Sequence, residues 1–293
     1  MGKLTKAFEK SYSPQKGEDA IDHTGPEEKS PEADVFPSKP AMGSALQKEP
    51  DNEGFFDNEK WDPRLKLTTD PHSPLFESFR RLRTPILYPS SGSKAKTILV
   101  TSVGPNEGKG FVCANLGVAI AQDIEHHALL LDCDFRHPTL AGYFGLTNDA
   151  GLVDHLKDNV DLSLLIRKTG QPKLSMVPCG KPPENPSEML TSSKMIDLIR
   201  EVSQGYDDRI VLFDSPPSIV ASETTILAKQ LDGVILVVRY GVSKREHVKK
   251  FVDAVGRDKI IGIIFNAYPE STLESFVDKK LGYGYGYGSY YAS

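Results

Sequence analysis

Six short apolar runs recur from residue 97 onward: TILVTS (97–102), HALLLDCD (127–134), KLSMVP (173–178), RIVLFD (209–214), GVILVVRY (233–240) and KIIGIIFN (259–266). Each has the length of a strand. Most are apolar at consecutive positions rather than alternating, the pattern of strands buried on both faces, as in a parallel sheet covered by helices. Helical stretches lie between them, near 108–122, 187–204, 223–231 and 244–256. Strand and helix in repeated succession predict an α/β fold, a doubly wound, mostly parallel sheet flanked by helices. Ligands in such sheets bind beyond the carboxyl ends of the strands. The ends to inspect are Ser102, Asp132 to Asp134, Asp214 and Asn266.

The chain before these runs reads differently. The first sixty residues hold six prolines, thirteen acidic and eight basic side chains, with brief apolar clusters such as Phe55-Phe56. Such a segment buries too little surface to offset its chain entropy, so residues 1–65 are expected to form a disordered extension. Within it, Leu4, Ala7 and Phe8 have the spacing of a short helix or of a frayed terminus. The folded domain is expected over 66–281, with a flexible tail at 282–293. The whole formal charge of -5 falls in the first sixty residues, which leaves the remainder neutral. A basic clamp for nucleic acid is therefore not expected. No apolar run reaches the ~18 residues of a membrane span, and no signal-peptide core stands near the start. Cys113, Cys133 and Cys179 are too few and too scattered for a disulfide scaffold or a zinc site, and suit a reduced, cytosolic setting.

Three strand ends carry candidate chemistry. The first, T-S-V-G-P-N-E-G-K-G-F at 101–111, leads into an apolar helix. A glycine-rich turn there lets backbone N–H groups wrap phosphates, with Lys109 reaching the β- and γ-phosphates. An ordinary strand-to-helix turn is the alternative on this segment alone. The second, L-L-L-D-C-D-F-R-H-P at 129–138, projects Asp132 and Asp134 to one side by the two-residue period. Two carboxylates at a strand end suit Mg²⁺, which takes one or two of them with waters and phosphate oxygens; acidic turn residues capping a strand look the same. The third, I-V-L-F-D-S-P-P at 210–217, is an apolar strand ending in aspartate, the Walker B arrangement. Each alone is common, but three in order in one chain are not.

Together with further segments, these residues resemble the cytoplasmic domain of bacterial tyrosine autokinases (BY-kinases), P-loop proteins of the deviant Walker A class that regulate capsule and exopolysaccharide assembly. The likeness runs from about Ser73 to the C-terminus. It rests on S-P-L-F-E-S-F-R-R-L-R-T-P-I (73–86), D-C-D-F-R-H-P-T-L-A-G-Y-F-G-L (132–146), G-K-P-P-E-N-P-S-E-M-L (180–190), D-S-P-P (214–217) and L-D-G-V-I-L-V-V-R-Y-G (231–241). The tail G-Y-G-Y-G-Y-G-S-Y-Y-A-S adds five of the eleven tyrosines, Tyr283, Tyr285, Tyr287, Tyr290 and Tyr291.

The resemblance implies an ATP-dependent protein-tyrosine kinase that uses ATP and Mg²⁺ and modifies those tail tyrosines on neighbouring subunits. Lys109 and the N–H groups of Glu107, Gly108, Lys109, Gly110 and Phe111 would hold the phosphates. Asp132 would be the base beside the tyrosine hydroxyl. Asp134 and Asp214 would organise the Mg²⁺, with Asp132 beside it, and Asn266 would touch the adenine. Glu77, Arg80 and Arg83 would pack against a neighbour to build a ring; a solvated helix face is the other fate of such charges. Implied partners are a membrane-spanning polysaccharide co-polymerase or chain-length regulator as activator, and a tyrosine phosphatase. The implied place is the cytoplasm, with recruitment to the inner face of the membrane by that activator.

Two loop positions depart from the family's usual Pro-Gly-Glu-Gly-Lys-Ser. Asn106 replaces glycine, a mild change because asparagine tolerates positive φ. Gly110 replaces the Ser/Thr whose hydroxyl ligates Mg²⁺, a loss worth about 1–3 kcal/mol. Phe111 adds bulk where a small residue is usual. A nucleotide-binding scaffold or switch with little transfer activity is therefore the second expectation. A MinD- or partition-type ATPase ranks below both, because the signature lysine of that class is here Gly104.

Overall fold

The structure, a computed structural model, describes residues 56–90, 94–205 and 208–267. The segment at 1–55 and the tail at 282–293 with its five tyrosines lie outside the described residues, as does the end of the expected domain beyond 267.

Seven strands form one sheet: β1 (Thr97–Ser102), β2 (His127–Asp132), β3 (Arg167–Lys168), β4 (Leu174–Val177), β5 (Arg209–Asp214), β6 (Gly233–Arg239) and β7 (Ile260–Asn266). Their order is β3-β4-β2-β5-β1-β6-β7. All neighbours run parallel except β3, which pairs antiparallel to β4 at one edge. The consecutive apolar runs behave as expected, since every residue of β1 and β5 is buried. Alternate residues serve opposite layers. Ile98, Val100, Leu130 and Leu212 face one core, while Leu99, Leu129, Leu131, Val211 and Phe213 face the other. The first core lies under α1 (Pro63–Lys66), α2 (Pro74–Leu87), α3 (Lys109–Ala121) and α4 (Leu140–Tyr143). The second lies under α5 (Leu152–Asp158), α6 (Leu162–Leu165), α7 (Pro186–Leu190), α8 (Ser193–Gln204), α9 (Glu223–Gln230) and α10 (Arg245–Val255).

Three expectations need correction. The helix expected over 187–204 is two helices. Ser192 accepts a hydrogen bond from the Met195 N–H at 3.2 Å and so caps α8, which ends one helix and starts the next. β7 is apolar in sequence yet alternates in burial, because it is an edge strand; Ile261, Ile263 and Phe265 are exposed among the described residues.

The boundary at residue 65 also moves, because residues 56–65 are part of the fold. Trp61 is buried, its indole N–H donates to the Thr169 carbonyl at 2.6 Å, and its ring meets Phe144 edge-on at 5.3 Å. The Asp57 N–H donates to the Gly170 carbonyl at 2.9 Å. A single aromatic with one polar handle anchors a stretch that is otherwise charged, and composition over a sixty-residue window hides it.

Candidate nucleotide site

The in-register pairing of β2 with β5 sets Asp132 opposite Asp214, and β1 runs along the other side of β5. Three strand ends thus meet at one place, where the chain leaves β1 through residues 103–108 and enters α3. The turn needs two left-handed residues. Asn106 has φ 58° and Gly108 φ 94°, as an asparagine and a glycine permit. A Cβ on Gly108 would run into the Asn266 carboxamide, so this close approach requires glycine.

Other groups brace the loop. The Glu107 carboxylate is buried and accepts from the Val103 N–H at 3.0 Å and the Ser243 hydroxyl at 2.6 Å. Arg239 donates to the Asn106 carbonyl at 3.0 Å. Asn266 Nδ2 donates to the Glu107 carbonyl at 2.9 Å, and its Oδ1 accepts from Ala267. Asn266 therefore holds the loop backbone through its amide nitrogen, while its amide oxygen is fixed by the next residue of its own chain segment. Ser243 and Arg239 were not foreseen. The contacts span more than 130 residues of sequence, and a guanidinium at the end of β6 and a hydroxyl just after it carry no signal of their own.

Lys109 opens α3 and points at the carboxylates. Its ammonium lies 2.7 Å from Asp134 Oδ2 and 3.3 Å from Asp214 Oδ1. Asp132 accepts from the Leu140 N–H at 3.0 Å and the Asp134 N–H at 3.3 Å. The four predicted charged residues are thus together, the three aspartates buried and Lys109 largely so. Burial works against the Lys109 charge, but Asp214 and Asp134 outweigh it and hold its pKa above the usual lysine value. Burial, reinforced by the Asp214 charge, pushes Asp132 up to about 8. Burial also pushes Asp214 up to about 6, against the pull of Lys109.

One lysine thus stands among three carboxylates, a donor set short of positive charge. Among the described residues no three His, Cys, Asp or Glu side chains converge into a ready-made metal cage. The carboxylates beside Lys109 suit Mg²⁺, which completes one or two of them with waters and phosphate oxygens. Cys113, Cys133 and Cys179 are buried, free thiols; burial raises the pKa of each, which suits packing and not nucleophilic work.

Phe111 turns away from the loop. Its ring meets Phe79 at 6.3 Å and Tyr143 at 6.1 Å, with the Arg64 guanidinium 5.7 Å from its centroid. The expected bulk therefore joins α3 to α1, α2 and α4 and does not enter the mouth of the loop. Gly110 is packed tightly: a Cβ there would lie 2.7 Å from Thr139 Oγ1 and 3.2 Å from Asp214 Oδ2.

The expected interface trio on α2 does not stay together. Glu77 pairs with Arg80 at 2.9 Å and with Arg81 at 3.3 Å on the exposed side. Arg83 instead donates to the Ala119 carbonyl at 2.5 Å, near the end of α3, and is largely buried. Residues three apart drift about 60° around a helix, so the third lies about 120° from the first and turns toward the neighbouring helix.

No family model matches the chain. It is similar to the tyrosine-protein kinase YwqD of Bacillus subtilis, 34% identical over 200 residues that cover 68% of this chain and 83% of the relative. It is likewise similar to the tyrosine-protein kinase CpsD of Streptococcus agalactiae, 34% identical over 67% of this chain and 83% of the relative. Among solved structures, the chimerical protein CapA2B2 matches with a TM-score of 0.64 and 29% identity, over 74% of this chain and 95% of that one. The septum site-determining protein MinD of Pyrococcus horikoshii, solved with Mg-ADP, matches at 21% identity and a TM-score of 0.50, over 61% of this chain and 76% of that one, a likeness of fold alone. The chain belongs to the bacterial tyrosine-protein kinases.

Proposed function

We propose that this chain transfers the γ-phosphoryl group of ATP to tyrosine hydroxyls in the tail of a neighbouring copy, and that this transfer regulates exopolysaccharide or capsule synthesis and export. The observation that carries it is Lys109, held between Asp134 and Asp214 at the foot of the phosphate loop beside buried Asp132. The N–H groups from Glu107 to Phe111 bind the phosphates, and Lys109 neutralises the bridging oxygens. The tyrosine oxygen attacks the γ-phosphorus in line, the bond to the β-phosphate oxygen breaks, and ADP departs. Asp132 takes the phenolic proton. Mg²⁺ would be held from the set Asp132, Asp134 and Asp214, one or two of them completed by waters and phosphate oxygens, and would supply charge neutralisation when bound. Asn266 keeps the loop in shape and borders the place assigned to adenine.

The acceptors are Tyr283, Tyr285, Tyr287, Tyr290 and Tyr291. Glu77 and Arg80 form the exposed part of the subunit contact, with Arg83 beneath it. Each added phosphate brings about -1.5 to -2 charge and separates the subunits by repulsion. No helix among the described residues is long and apolar enough to cross a membrane. A membrane-spanning polysaccharide co-polymerase or chain-length regulator activates the kinase at the inner membrane face, and a tyrosine phosphatase resets it.

The test mixes two variants: Lys109→Met, which keeps its tail, and a chain with the five tail tyrosines changed to phenylalanine, which keeps its site. Phosphotyrosine on the Lys109→Met chain only in the mixture is the expected result. Its absence there, with wild type labelled, would overturn transfer between subunits. The scaffold alternative draws on Gly110 alone, whose surroundings bear on it directly.

A further inference from the structure

Phosphate loops ordinarily follow their lysine with Ser or Thr, whose hydroxyl is an Mg²⁺ ligand. Gly110 has none. The space its side chain would fill is nevertheless taken. A Cβ built there falls 2.7 Å from Thr139 Oγ1, closer than real Cβ contacts run, and 3.2 Å from Asp214 Oδ2. The oxygen missing from one element is thus present in the same place from another.

Thr139 is fixed there by its neighbours. It follows the Asp132 to Asp134 turn, and the N–H of the next residue, Leu140, donates to Asp132 Oδ2 at 3.0 Å. Thr139 precedes α4, where a threonine hydroxyl commonly caps a helix, yet it makes no capping bond. Its hydroxyl stays beside Gly110, in the space that the Asp214 carboxylate also borders. Gly110 and Thr139 are complementary: the glycine makes the room that the threonine hydroxyl uses.

We infer that Thr139 supplies, toward the Mg²⁺ of a bound nucleotide, the hydroxyl that Gly110 lacks. This rests on the nucleotide-binding part of the proposed function. It also reverses the expectation drawn from sequence, because restoring serine at 110 alone crowds two hydroxyls into one place instead of repairing the site.

The full chain tests it by equilibrium binding of a fluorescent ADP analogue, titrated with Mg²⁺ and repeated in EDTA. Thr139→Ala should raise the half-saturating Mg²⁺ concentration by about ten- to a hundredfold, the scale for losing an oriented group around a metal. Its affinity for the analogue in EDTA should stay as in the parent. Thr139→Ser, which keeps the hydroxyl, should match the parent. Gly110→Ser combined with Thr139→Ala should recover most of the loss, because the hydroxyl returns without the clash. An unchanged Mg²⁺ requirement in Thr139→Ala would overturn the inference. So would a loss that Gly110→Ser leaves unrepaired, since a merely structural threonine behaves that way. A wild-type chain that binds no analogue in either condition would instead bring down the nucleotide site itself.

Discussion

Asp132 and Asp214 sit on adjacent strand ends with little water, and their proton affinities in the nucleotide-free fold follow from that. Both pKa values are raised from near 4, to about 8 and about 6, so between pH ~4 and ~8 the folded chain binds more protons than the unfolded chain. Stability therefore falls as pH rises through that window, by up to about 1.4 kcal/mol per pH unit for each proton involved. Lys109, with its pKa raised, stays charged throughout and adds no slope. Urea midpoints of the nucleotide-free protein between pH 5 and 8 should decline, and Asp132→Asn should flatten most of the decline. A wild type with a level profile would contradict the burial argument. At this scale the charged site was legible in sequence, because an aspartate at the end of an all-apolar run has one place to go. Glu107, Ser243 and Thr139 were not legible as a loop brace and a hydroxyl donor, because each acts through a partner on another element.

α3 is the element on which most of the molecule converges. Its first turn carries Lys109, its middle is tied to the N-terminal segment by Asn115 and Thr68, and near its end the Ala119 carbonyl receives Arg83. Gln122, just beyond α3, donates to the Thr68 carbonyl at 3.1 Å. The segment at 56–69 is thus a clamp along the phosphate-loop helix. The sequence hid it because short helices around one tryptophan give no period to read. Arg83 and Arg80 separate the structural from the exposed role on α2. Arg83→Ala should cost about 1–3 kcal/mol by chemical denaturation, because a buried carbonyl loses its donor. Arg80→Ala should change stability by no more than about 0.5 kcal/mol, as expected for an exposed ion pair. Equal costs would mean that Arg83 is not seated on α3.

Over the whole molecule, the doubly wound architecture was readable because both layers leave their mark on the central strands. β1, β2, β5 and β6 are apolar without alternation, and each was placed to within two residues. The edges were less readable. β3 has two residues and no pattern. β7 is written like a central strand but has one face exposed among the described residues. The order β2-β5-β1 explains why motifs separated by more than a hundred residues make one site, since parallel pairing delivers all three carboxyl ends to the same rim. The departure at Gly110 acts at this scale too, because its remedy comes from the turn after β2.

The most direct measurement is phosphotyrosine formed on the full chain from MgATP, with the cytoplasmic segment of a membrane activator present, mapped by mass spectrometry. Wild type should carry phosphate on residues among Tyr283, Tyr285, Tyr287, Tyr290 and Tyr291. Lys109→Met and Asp132→Asn should lose at least about a hundredfold of it, the scale of a lost general base or oriented charge. A wild type that binds ATP but forms no phosphotyrosine, or a Lys109→Met chain labelled as strongly as wild type, would contradict a kinase built on this site.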